Sequence, residues 1–266
     1  MISDDAAVAL QRQIDRLASQ LDYLTALESA GELYAQFHGL IGLRGLWYPG
    51  IQNSGGVIPD LTLLNNNLGY NGNPTLALHN NYVPYEDYDG TGDFHSVADN
   101  ATLDILGTET TIAAASRGLT LGGCFWADAF VTNDGLITKG DAATAANSSY
   151  NLDLSATGFK LDIFSGASGF SVSSAAGVTG QWYFVVGRYT PSTELAIFTN
   201  GVKVTNVTAI PANINNSTAP LNIGNTASGG ARFLDGRWAV AFLCAALIPD
   251  TQLTYLFNRS RVLFGV

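Results

Sequence analysis

Charge is what this sequence has least of. Only 13% of its 266 residues are Asp, Glu, Lys or Arg, and 22 of those are acidic against 12 basic. The formal net charge of −10 repels phosphate backbones and excludes nucleic acid as a direct partner. No basic amphipathic stretch suits a membrane surface, and no apolar run approaches the ~20 residues that cross a bilayer. Cysteine is scarce: Cys124 and Cys244 both fall in apolar segments, where a free thiol packs as a small hydrophobe. Spacing alone cannot decide whether the two pair. The first residues, MISDDAAVAL, lack a basic stretch followed by an apolar one, so no secretory signal is expected. Catalytic signatures are missing as well. His38, His79 and His95 belong to no HExxH motif, and no G-x-S-x-G elbow occurs.

Glycine (29 residues) and short alternating apolar segments are plentiful. The segment Gly118 to Phe130, GLTLGGCFWADAF, reads as a central strand. Leu119, Leu121, Phe125 and Ala127 fall on one face, with Gly123 as a spacer, and Thr120, Cys124 and Trp126 fall on the other. Such a strand is buried on both faces.

The N-terminus differs. Ser3 can cap a helix, with Asp4 and Asp5 in its first turn. Ala7, Ile14 and Leu21 then fit heptad position a, and Leu10, Leu17 and Leu24 fit d, up to Ala30 and Gly31. About 25 residues make a rod of roughly 40 Å. A helix packed on its own domain is the alternative, but a seam confined to a and d favours self-association. The flanking positions (Gln11, Ala18, Thr25; Gln13, Gln20, Leu27) are almost uncharged and point to a trimer rather than a dimer. Residues 1–31 are therefore expected to oligomerise, 32–45 to form a neck with glycines at 39, 42 and 45, and 46–266 to form one β domain.

Within that domain about a dozen short strands are separated by turns, with almost no helix between them. Asn71-Gly-Asn-Pro74, Asp89-Gly-Thr-Gly-Asp93 and Asn200-Gly201 supply turn chemistry, the last as a two-residue hairpin. A one-turn helix is expected within Thr110 to Arg117. A short C-terminal helix is expected to be capped by Asp250 and to carry Leu253, Leu256 and Phe257. Trp47, Trp126, Trp182 and Trp238 lie in strand patterns and read as core. Tyr70, Tyr82 and Tyr88 read as loop residues.

Six segments in order resemble a known family. Tyr85-Glu-Asp-Tyr-Asp-Gly-Thr-Gly-Asp-Phe94 with Ser96-Val-Ala-Asp99, Gly118 to Trp126, Leu136-Ile-Thr-Lys139, Gly180-Gln-Trp-Tyr-Phe184, Leu195 to Gly201, and Ile223-Gly224 with Phe233 to Gly236 are similar to the motif series of concanavalin A-like (laminin G-like) jelly-roll domains. The expected fold is thus an all-β, concanavalin A-like antiparallel β-sandwich preceded by an N-terminal α-helical coiled coil. Such domains behind a short coil resemble bacteriophage virion proteins. The resemblance implies a non-enzymatic homotrimer on a virion surface, made in the host cytoplasm, with capsid or tail proteins as partners. The alternative is a carbohydrate-binding adhesin for a cell-surface glycan, and a polysaccharide hydrolase stands third. Glycosidases of this fold carry a strand like E-x-D-x-x-E, so that two carboxyls straddle the bond. Here Glu194 has no acidic partner two residues on, and Asp153 and Asp162 alternate with apolar residues as on a solvent face. The resemblance also raises calcium, for which Asp89, Asp93, Asn133, Asp134 and Asp141 are turn-borne oxygen donors. Asp and Asn are equally ordinary turn residues, so no metal or other cofactor is assigned.

The heptad reading carries its own test. Leu17→Asp or Leu21→Asp is expected to give soluble monomeric β domains by light scattering, and an unchanged oligomeric mass would refute the coil.

Overall fold

The computed structural model describes Gln11, Ile14 and residues 35–51, 56–80, 82–140, 144–226 and 232–266. Of the seam residues, Ala7, Leu10, Leu17, Leu21 and Leu24 lie outside that set. Ile14 is helical and 49% exposed.

The strands among the described residues begin with β1 (Leu43–Trp47), β2 (Val57–Ile58), β3 (Leu68–Asn71), β4 (Thr75–His79), β5 (Val83–Asp89) and β6 (Phe94–Val97). Then come β7 (Arg117–Ala127), β8 (Gly135–Lys139), β9 (Tyr150–Leu154), β10 (Phe159–Ser165) and β11 (Ser168–Ser173). The series ends with β12 (Trp182–Thr190), β13 (Glu194–Thr199), β14 (Val202–Asn206), β15 (Leu221–Ile223) and β16 (Asp235–Ala246), followed by helix α1 (Asp250–Phe264). Two eight-stranded sheets result. Sheet A runs β14-β13-β12-β7-β16-β5-β4, with β1 also on β16, and sheet B runs β11-β10-β9-β8-β15-β6-β3-β2. Every strand pair is antiparallel, as expected for a jelly-roll sandwich.

Strand β7 is the centre of sheet A. Leu119, Leu121, Phe125 and Ala127 enter the core between the sheets, and Cys124 enters a second apolar layer on the outer face. Gly122 and Gly123 are needed here. A Cβ on Gly123 would strike the Val240 carbonyl of β16, and one on Gly122 would strike the Val185 carbonyl of β12. The outer layer is closed by Leu253, Leu256, Leu263 and Phe264 of α1 and by Phe37 and Leu40. Phe37 meets the Phe242 ring at 5.1 Å. The domain therefore has three layers, α1 on sheet A on sheet B.

Several local expectations meet their structural outcome here. The stretch read as a neck, 32–45, is buried at Phe37 and Leu40, and β1 starts inside it at Leu43. The outer face of sheet A is apolar enough to draw those residues down. Asp250 does not cap α1; Pro249 holds that position, and the helix runs 15 residues, ending at Gly265 with φ 70°. The Asp250 carboxylate instead accepts from Arg188, whose other arm reaches Glu194 at 2.8 Å. The expected helical turn is the short 3-10 segment Ala114–Ser116. Asn200 and Gly201, at φ 49° and 81°, make the tight hairpin between β13 and β14. Cys124 lies opposite Val240 and Cys244 opposite Thr120, about 13 Å apart along paired strands, so both are free, buried thiols. Burial pushes Cys124 up to about 12.

Lys139 ties two loops to sheet B. Its side chain is fully buried, and its ammonium donates to Asp99 at 2.6 Å and to the Ser217 carbonyl, with Asp104 at 3.1 Å. Losing one partner of a buried ion pair strands the others in low dielectric. Lys139→Ala is expected to lower unfolding free energy by about 3–5 kcal/mol in denaturant titration; a loss under about 1 kcal/mol, typical of surface pairs, would contradict this role.

Candidate functional site

Helix α1 covers only part of sheet A. The cross-strand register continues beyond it as Thr75–Asp87–Arg237–Trp126–Trp182, one residue from each of β4, β5, β16, β7 and β12. Trp182 is still covered, its ring 4.8 Å from Phe264 of α1. Trp126 is partly exposed, and past it the outer face is polar. Asp89 pairs with Asp235 in the neighbouring register, and the Asp128 N–H donates to the Asp235 carbonyl at 2.9 Å. The turn after β5 brings Asp93 to the same rim. A cleft of about 520 Å³ opens there, lined by five aspartates (Asp87, Asp89, Asp93, Asp128, Asp235), Arg237 and Asn73.

Arg237 is fixed on both sides. Its Nε donates to Asp87 at 3.1 Å, and its guanidinium lies 4.6 Å over Trp126 and 5.4 Å over Tyr85. The Trp126 indole N–H donates to Asp128 at 2.8 Å. Tyr85 packs edge-on against Trp182 at 5.7 Å. Burial, then the charges of Asp128, Asp87 and Asp89, raises the Asp235 carboxyl above its ordinary value. Carboxylates that accept, a guanidinium that donates and an aromatic edge together suit a polyhydroxylated ligand.

The calcium donors do not converge. Asp89 and Asp93 line this cleft, but Asp89 accepts from the Thr91 N–H at 2.8 Å and Asp93 from the Asn73 N–H at 2.6 Å. Asn133 binds Lys160 at 2.7 Å, elsewhere on the molecule, and Asp141 lies outside the described residues. Among the described residues no three His, Cys, Asp or Glu are arranged to hold a metal. These side chains therefore do not fit a calcium site.

Other sequence candidates fall elsewhere. Asp153 and Asp162 do not form an ordinary solvent face; they are 1% and 7% exposed on adjacent strands of sheet B. Alternation tells which face a residue takes, not whether that face is open. Lys160 lies 2.6 Å from Asp162 and 3.7 Å from Asp153. Burial, then the Asp162 charge, raises the Asp153 carboxyl well above the usual carboxylate range, with Lys160 opposing. Asp134 is pushed up to about 6, by burial first, with Arg232 lowering it and Asp235 adding to the rise. Tyr88 is buried within β5 and Tyr70 belongs to β3, so neither is a loop residue. Trp47, Trp182 and Trp238 are buried, as expected; Trp126 is the exception. The histidines stay apart. His38 is exposed, His79 stacks on Phe264 at 6.0 Å, and His95 is buried against Tyr88, where burial lowers it to about 3.

A sequence profile decides the family. The profile described as the concanavalin A-like lectin/glucanases superfamily matches residues 89–239, more than half of the chain. The chain belongs to this superfamily. The match begins at Asp89 and ends at Ala239, so it takes in the Asp128, Asp235 and Arg237 side of the cleft. No curated protein matches the chain. Among solved structures, this superfamily member resembles the binding domain of Paraclostridial Mosquitocidal Protein 1 at 11% identity and TM-score 0.62, over 82% of this chain and 52% of that one. The binding domain of botulinum neurotoxin DC, in complex with SialylT, gives 13% identity and TM-score 0.58 over 82% and 51%. The chain thus spans about half the length of these toxin domains. Domain 4 of an extracellular arabinanase from Geobacillus stearothermophilus, in complex with arabinotriose, gives 14% identity and TM-score 0.56 over 80% and 97%. At these identities the likeness is one of fold. Two of the three neighbours are binding domains, and the third is one domain of an arabinanase bound to arabinotriose.

The raised Asp134 makes stability depend on pH. Its folded value of about 6 lies above the unfolded value of about 3.9. The native state therefore holds more protons between those limits, and stability falls as pH rises through them. Asp134→Asn is expected to flatten the fall in melting temperature between about pH 4 and pH 6 relative to the unmutated protein. An unchanged slope would place the titration elsewhere.

Proposed function

We propose that the chain is a non-enzymatic carbohydrate-binding domain and that the cleft at the open end of sheet A holds neutral glycans. The observation that carries this reading is the meeting of five aspartates, Arg237 and the Trp126 ring at one rim of a lectin-type sandwich. Sugar hydroxyls donate to carboxylates and accept from the guanidinium, each such charged hydrogen bond contributing about 1.5–3 kcal/mol. Sialylated or uronic glycans meet like charge there, and a net charge of −10 adds to the repulsion. The superfamily and the arabinotriose-bound neighbour support the reading.

The N-terminal heptads would gather copies into a homotrimer, and Ile14, helical and half exposed, is consistent with a seam that the β domain leaves open. Three weak sites on one particle raise avidity without new contacts. Attachment to a host cell-surface glycan from a virion surface, through capsid or tail proteins, is the setting such display would suit.

A glycan array followed by calorimetry tests the site. Saturable binding of neutral glycans is expected, with Asp235→Asn or Arg237→Ala weakening it about tenfold or more while the melting transition persists. Binding confined to sialylated glycans, or no saturable binding at all, would overturn the proposal.

A further inference from the structure

The open edge of the sandwich carries a second cleft, of about 340 Å³. It lies where β4 of sheet A faces β2 and β3 of sheet B, and its walls include Gly56, Tyr70, Gly72, Pro74 and Leu76. Asn73 lines this cleft and the acidic cleft alike, so the two meet across the Gly72–Pro74 turn.

Tyr70 gives the second cleft its character. The ring is partly exposed and held at two points. Its hydroxyl donates to the buried Glu86 carboxylate at 2.8 Å, and its ring packs edge-on against buried His95 at 4.3 Å between centroids. Beside the ring sits Gly56, at φ 70°, where a Cβ would stand 3.8 Å from Tyr70 Cδ2. Any longer side chain there would lie against the ring, and glycine keeps that approach clear. A fixed aromatic shelf between Pro74 and Leu76, reached past two glycines, matches the apolar face of a sugar ring and loses little entropy on binding.

Resting on the carbohydrate reading above, we infer that this cleft is a second sugar subsite, with Tyr70 as its stacking shelf and Glu86 as the residue that positions it. The ligand is accordingly a neutral oligosaccharide of at least two units, one in each cleft, crossing the turn at Asn73.

The test is calorimetric titration of the full chain with arabino-, malto- and cello-oligosaccharides of one to four units. Affinity in the recognised series is expected to rise at least tenfold between one and three units. Tyr70→Ala is expected to erase that gain and leave monosaccharide binding unchanged. Tyr70→Phe, which keeps the ring and loses the Glu86 tether, is expected to retain part of it. Leu76→Asp alters an exposed rim position, 46% open, and is expected to act like Tyr70→Ala even if that variant folds poorly. Affinity independent of length, or a gain that survives both Tyr70→Ala and Leu76→Asp, would overturn the second subsite while the single-cleft reading stands. Failure of the unmutated chain to bind any neutral glycan on the array would overturn both.

Discussion

The close approach of three backbones at Gly122 and Gly123 is the constraint on which the rest depends. Strands β12 and β16 both close on β7 at these residues, where any Cβ would meet a neighbouring carbonyl. Strand β7 can then send large side chains only from positions before and after the pair, which is where the inner core and the outer layer gather. Because β7 and β16 are buried on both faces, sheet A needs a cover as well as a partner sheet. Helix α1 and the Phe37–Leu40 segment provide it. The sandwich alone would leave Phe242, Phe184 and Val186 in water, at about 1.5–3 kcal/mol for each large side chain.

The site follows from where that cover stops. Phe264 reaches Trp182 and goes no further, so the next residue in the register, Trp126, stands between apolar and polar surroundings. Arg237 spans the boundary with its guanidinium on the ring and its Nε on Asp87. A charged group stacked on an aromatic ring and bonded to a carboxylate has little freedom left to lose when a ligand arrives. Fold closure and site rigidity thus share the same row of residues.

Much of this was legible in the chain. The alternation in Gly118 to Phe130 gave the faces of β7 correctly, Asn200-Gly201 gave its hairpin, and the ordered segments gave the superfamily. The acidic cleft was not legible, because its aspartates come from β5, the turn after it, the end of β7 and the start of β16, and only the strand register brings them together. Two of its five aspartates, Asp89 and Asp93, were singled out in the sequence, there as turn-borne oxygen donors. Periodicity also cannot report cover. It placed Asp153 and Asp162 on the outer face of sheet B but could not tell that Lys160 and neighbouring side chains bury them there, and it placed Trp126 in a strand but could not tell that α1 ends before reaching it.

The geometry of the cleft argues against the cation that its charge first suggests. Five carboxylates around one guanidinium leave a local excess of negative charge, which would favour any small cation. Yet a calcium ion needs six to eight oxygens turned inward at about 2.3–2.6 Å. Here Asp87 is turned to Arg237, Asp89 to Thr91 N–H, Asp93 to Asn73 N–H and Asp128 to the Trp126 indole. Each of these four carboxylates has given one oxygen to the protein and keeps a second as an acceptor, and with Asp235 they are spread along the walls of the cleft. A ligand that meets such a lining must donate many hydrogen bonds over an extended surface and carry no negative charge. Neutral sugars meet both conditions, and their apolar ring faces match the Tyr70 shelf across Asn73.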